Sequence, residues 1–110
     1  MASKCLYEAL ISRADSIETD PDTDCTTYKR EHTFIRIDKD DHKMIVHAGF
    51  YLDEEEWHLA CLFRNSKKDM SDVLRSVVVS IVDKMTYDDL EYTFDQFVAA
   101  KCILDWLLYV

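Results

Sequence analysis

A single glycine, Gly49, and a single proline, Pro21, punctuate 110 residues. Glycine and proline are the usual residues where a chain needs a left-handed conformation or a fixed φ. With so few of them, the turns fall to Asp, Asn, Ser and Lys, and long flexible linkers are absent. The same scarcity excludes chemistry. There is no glycine-rich phosphate loop, no nucleophile elbow and no dinucleotide fingerprint.

The chain is nevertheless rich enough in apolar side chains to bury a core. Hydrophobic residues make up 48% of it, with 2 Trp, 6 Tyr and 5 Phe among them. Its length suits one domain spanning residues 1–110. No run approaches the ~18 apolar residues that would span a bilayer. Met1-Ala2-Ser3-Lys4 opens an amphipathic segment rather than a secretory signal, so a cytoplasmic location is expected. The cysteines Cys5, Cys25, Cys61 and Cys102 are scattered, with no CxxC pair. They are expected as free thiols, with Cys5, Cys61 and Cys102 acting as small core hydrophobes.

Periodicity gives the expected elements. Leu6, Leu10, Ala14 and Ile17 recur at helical spacing, so a helix is expected from Ser3 to about Ile17. Pro21 stops the helix, and the acidic stretch Asp15–Asp24 reads as a solvated loop. Thr26 to Asp38 reads as one extended segment, in which Thr26, Thr27, Tyr28, Thr33, Phe34, Ile35 and Ile37 are β-favouring. A polar break from Asp38 to Lys43 leads to a second strand, Met44 to Leu52, suggesting a hairpin. Trp57, Leu59, Cys61 and Phe63 alternate, which favours a third strand with Asp53–Glu56 as its turn. Asp53 with Glu56 also matches a helical capping box, so a helix is the alternative there. From Ser71 the valine-rich spacing is helical, and Thr86-Tyr87-Asp88-Asp89 reads as the N-cap of a last helix. The expected class is α+β: an N-terminal helix, a small antiparallel three-stranded sheet, and two C-terminal helices packed on one face.

Charge carries the functional reading. Asp and Glu number 22 against 13 Lys and Arg, a net −9. Such a surface disfavours direct contact with nucleic acid or anionic membrane and favours a basic protein partner. The acids cluster in Asp15–Asp24, in Asp53–Glu56, and in Asp88–Asp95 with Glu91. Trp57 lies beside the second cluster; Tyr87, Tyr92 and Phe94 lie beside the third. Acidic rims around aromatic anchors suit a basic surface, because charge steers encounter while buried aromatics supply affinity. The candidate partner-binding residues are therefore Asp20, Asp22, Asp24, Glu54, Glu55, Glu56, Trp57, Asp88, Asp89 and Glu91.

Catalysis and metal binding have weaker sequence support. Asp20, Asp22, Asp24 and Glu31 occupy positions one, three, five and twelve of a stretch that resembles an EF-hand calcium loop. Cys25, however, stands where that loop needs glycine, and the exiting segment reads as a strand. His32, His42, His47 and His58 match no metal spacing, although strand pairing brings His47 near His32 or His58. No metal, cofactor or enzymatic activity is expected, and a small metal-binding protein or enzyme is kept as the last alternative.

The expected function is non-catalytic: occupation of a basic, nucleic-acid-binding surface of a partner, with carboxylates standing in for phosphates. Small acidic proteins used this way include phage-encoded inhibitors (anti-CRISPR proteins and nucleic-acid mimics) and immunity or antitoxin proteins. The likeness is one of size and charge. The apolar stretch Ile103–Val110 offers a different class: a homodimeric, secretion-chaperone-like protein joined through its C-terminal helix.

Overall fold

The computed structural model describes residues 2–39, 43–65, 69–86 and 92–108, with backbone alone for residues 2–5. Helix α1 (Ala2–Arg13) precedes five strands: β1 (Ser16–Thr19), β2 (Cys25–Arg30), β3 (Thr33–Lys39), β4 (Lys43–Leu52) and β5 (Glu55–Asn65). Helices α2 (Met70–Thr86) and α3 (Phe94–Leu108) complete the order. Each strand pairs antiparallel with the next, giving one meander, β1-β2-β3-β4-β5.

The α+β class and the helical C-terminal third match the sequence expectation, but the sheet has five strands rather than three. Two local features account for the difference. The first helix ends at Arg13, and Ser16–Thr19 pairs with β2, setting Ile17 opposite Tyr28 and Thr19 opposite Thr26. The extended segment from Thr26 to Asp38 is cut in two by a turn at Glu31-His32. Glu31 adopts a left-handed φ of 55° there, a conformation that glycine usually supplies. The Asp15 carboxylate accepts the Glu31 N–H at 2.7 Å and helps to hold the turn. Asp53–Arg64 forms turn and strand, not a helix.

The helices cover one face of the sheet. Ile35, Ile37, Met44, Val46, Ala48 and Phe50 point into that layer and share a core with Leu10 of α1, Leu74 and Ile81 of α2, and Ile103 and Trp106 of α3. Arg13 closes the corner where α1 and α3 end. Its guanidinium donates to the carbonyls of Asp105 at 2.9 Å and Trp106 at 3.0 Å, groups a helix C-terminus otherwise leaves unpaired. Arg30 donates to the Arg13 carbonyl at 2.7 Å, and the Trp106 indole to that of Leu10 at 3.3 Å. The apolar C-terminal run thus supplies Ile103, Trp106 and Leu107 to the chain's own core.

Helix starts are set by short polar caps. Asp69 accepts the Ser71 N–H on its carboxylate at 2.8 Å. Asp69→Ala is expected to lower stability by about 1 kcal/mol, read as a lower urea midpoint at unchanged m-value. Thr93 and Gln96 form a reciprocal capping box at 2.6 and 3.3 Å and start α3. The expected cap at Thr86–Asp89 is not where this helix begins: Thr86 is the last residue of α2, and residues 87–91 lie outside the described residues.

β5 is a long edge strand with outward groups guarded by side chains. A bulge opposite Ala48/Gly49 leaves Leu59 extra, and Lys84 and Tyr92 donate to its carbonyl at 3.3 and 3.0 Å. Arg64 covers the Phe63 carbonyl at 2.7 Å. Such devices protect an edge from pairing with another chain.

Candidate functional site

In a meander, alternate turns share an end of the sheet. The β2–β3 and β4–β5 turns lie at one end, and the β1–β2 turn lies at the other. The candidate residues Asp20, Asp22 and Asp24 therefore stand apart from Glu54, Glu55, Glu56 and Trp57. Asp88, Asp89 and Glu91 lie outside the described residues.

The β1–β2 turn is an exposed acidic corner. Its Asp20 carboxylate accepts the Asp22 N–H at 2.9 Å. Burial first, then Asp38, and more weakly Asp20 and Asp24, push the neighbouring Cys25 thiol above its ordinary value. The calcium-loop resemblance does not survive folding. Glu31 sits at the far end of β2, a strand length of about 20 Å from this turn. Among the described residues no group of three His, Cys, Asp or Glu is placed to hold a metal ion.

The opposite end gathers more acid and an aromatic. The β4–β5 turn is a two-residue loop, Asp53-Glu54, with φ of 53° and 67°. Two positive φ values in succession are the hairpin geometry that Asn-Gly normally supplies. Together with Glu31, these are the non-glycine residues of positive φ among the described residues, and every one is an acid at this end of the sheet. Asp15 joins them through its bond to Glu31, and Asp105 through the α3 terminus held by Arg13. Burial, then Glu31 and Asp105, raise the Cys102 thiol, while Arg30 opposes them. Asp53, Glu54 and Glu55 form no ion pair among the described residues.

Trp57 belongs to this surface. The register places it opposite Phe50, and the two rings stack at 6.3 Å. Phe50 is buried, while Trp57 stays 44% exposed beside Leu52 at 37%. The ring thus has one side anchored in the core and one free.

Glu56 has a different role from its neighbours. It projects onto the face of the sheet away from the helices, where Arg36 grips it bidentately at 2.7 and 2.9 Å. Arg36 also donates to the Thr27 hydroxyl at 3.1 Å, and His58 Nε2 lies 3.1 Å from Glu56. The Arg36 guanidinium holds the Glu56 carboxyl below its ordinary value. A depressed carboxylate contributes stability above its unfolded pKa of about 4.3 and loses it as pH falls through the folded value. Glu56→Gln is therefore expected to cost about 1 kcal/mol at pH 7 and progressively less below pH 4, measured by urea unfolding at each pH.

One further expectation is corrected, and another is met. Cys61 is exposed rather than a core hydrophobe, and the Cys5 side chain lies outside the described residues. Of the histidines, His47 and His58 meet at 5.1 Å, His32 sits in the β2–β3 turn, and His42 lies outside the described residues.

A groove of about 530 Å³ between β5 and α2 is lined by Leu62, Arg64, Asp72, Arg75 and Val79. Its charges are mixed, with Asp72 and Arg75 paired at 2.9 Å. No helix among the described residues is long and apolar enough to cross a membrane. No protein-family model, curated protein or solved structure matches the chain.

Proposed function

We propose that this protein is a non-catalytic acidic binding protein that occupies a basic, nucleic-acid-binding surface of a partner protein. Its contact surface is the β4–β5 turn with its neighbours: Glu31, Asp53, Glu54 and Glu55 as charge, Trp57 as anchor.

One observation carries this reading. Glu31, Asp53 and Glu54 are acids in left-handed turn positions at one end of the sheet. A β-carbon in that conformation costs roughly 1 kcal/mol or more, least for Asp, and glycine or asparagine would remove most of the cost. Acids kept at such positions are accounted for by a role outside folding. Beside them, Trp57 is the residue type that most often dominates protein interfaces, and it is already held by Phe50. Carboxylates spaced along a turn meet Lys and Arg as phosphates do, which fits an inhibitor or immunity-type protein acting on a nucleic-acid-binding target.

The test is capture from a lysate of the source cells at low salt, with elution in rising salt. The wild-type chain is expected to retain a basic protein stoichiometrically, and Glu54→Lys/Glu55→Lys to lose it while keeping its circular dichroism. Glu56 is left alone, because reversing it would break its pair with Arg36. Equal retention by both baits would refute the assignment of this surface.

A further inference from the structure

One arginine of this chain is held by an aromatic face and a carboxylate together. The Arg36 guanidinium lies 4.8 Å from the Phe34 ring centroid and donates to both carboxylate oxygens of Glu56 at 2.7 and 2.9 Å. A planar guanidinium can do both at once, because its flat face stacks on the ring while its edge carries the N–H donors. The ammonium of lysine is a compact point charge with no face to lay on the ring.

The other face of β5 holds the same parts without the cation. Glu55 and Trp57 are two residues apart on the strand, so they project to one side of it, about 7 Å apart. That side is opposite to the one Glu56 takes. Across the ladder, Glu55 faces Leu52 and Trp57 faces Phe50. Phe50 is buried and backs the indole in a stack of 16° between planes, while Trp57 itself is half-exposed. β5 ends the sheet, so the other side of the indole meets no further strand among the described residues. Phe34, Tyr51 and Tyr92 each hold a cation of their own chain over the ring: Arg36, Lys29 and Lys84. Trp57, the residue type that attracts cations most strongly, holds none among the described residues, and the exposed Glu55 beside it has no ion pair there.

We propose that Trp57 and Glu55 form an arginine-selective subsite within the acidic surface. An arginine of the partner lays its guanidinium on the free side of the Trp57 indole and donates from its edge to the Glu55 carboxylate. This inference rests on the acidic-surface reading and adds which basic residue the surface selects. Asp53 and Glu54, in the adjoining turn, attract lysine and arginine alike, because exposed carboxylates act there through charge. Trp57 supplies the distinction. Its contact with Phe50 fixes the ring beforehand, so stacking costs little further side-chain entropy. A guanidinium also sheds water more readily than an ammonium.

The test uses two synthetic peptides of glycine and serine carrying equal positive charge, one through arginines and the other through lysines. Binding to the full chain is followed at low salt by the ¹H–¹⁵N signals of its 2 indoles, those of Trp57 and Trp106. The arginine peptide is expected to bind roughly fivefold more tightly than its lysine twin. It is expected to shift the Trp57 indole and to leave the buried Trp106 indole in place. Trp57→Leu is expected to bring the two peptides to the same affinity, and Glu55→Ala to narrow the gap between them. Equal affinities for the parent chain, or a preference that persists in Trp57→Leu, would overturn the arginine subsite and leave the acidic surface standing. Binding of neither peptide would overturn both. Should Trp57→Leu not fold, Glu55→Ala carries the decision, and an undiminished preference in that variant would overturn the subsite.

Discussion

Gly49→Ala is expected to destabilise this protein by about 3 kcal/mol, enough to unfold a marginal domain. The sign is not obvious. Gly49 has no positive φ, and in an ordinary strand alanine would be favoured by roughly 0.5–1 kcal/mol through the entropy of the unfolded chain. Here a β-carbon would run into the Trp57 carbonyl oxygen and crowd the Phe34 ring at 2.9 Å. The carbonyl belongs to the strand beside the bulge and cannot rotate away, so the steric cost exceeds the entropic gain. Shortening Phe34 to leucine in the same chain should not restore stability, because the backbone clash remains. A Gly49→Ala chain within 1 kcal/mol of the parent in urea unfolding would contradict this account.

Trp106→Ala is expected to cost about 4 kcal/mol. The side chain is fully buried, and its indole N–H satisfies the Leu10 carbonyl near the end of α1. Trp106→Phe keeps most of the volume and loses the donor, so about 2 kcal/mol is expected. The gap between the variants separates packing from hydrogen bonding. Both should leave the chain's sedimentation mass unchanged, because Trp106 is buried within its own chain. A change of mass in either variant would show that this helix also serves an interface.

Much of the core was legible because its periodicities are strong. The spacing of Val73, Leu74, Val77 and Ile81 marks one face of α2, and all four are buried. The alternation of Trp57, Leu59, Cys61 and Phe63 found β5, but not which face each residue takes. The bulge opposite Ala48/Gly49 puts Trp57 on the helix side and Cys61 on the other, and no local signal announces a bulge. β1 was hidden because Ser16–Thr19 is short and acidic, and its strand character comes from pairing with β2. The Glu31 turn was missed because glutamate is not a turn residue, so one extended segment replaced two strands. For the same reason Glu31 was absent from the candidate surface. Glu56 illustrates a different limit. Its partner Arg36 is 20 residues away and meets it only across the sheet. Sequence proximity grouped it with Glu54 and Glu55, whereas strand alternation puts it on the opposite face from Glu55.

The most direct test of the acidic-surface account is the double variant Asp53→Asn/Glu54→Gly, which installs the residues this hairpin geometry prefers. Its unfolding free energy and its affinity for the protein captured by the parent chain should be measured on one preparation across a salt series. Stability is expected to rise by about 1 kcal/mol while affinity falls at least tenfold and its salt dependence flattens. Raised stability with unchanged affinity and salt dependence would contradict the account, leaving the acids in these turns without the role assigned to them.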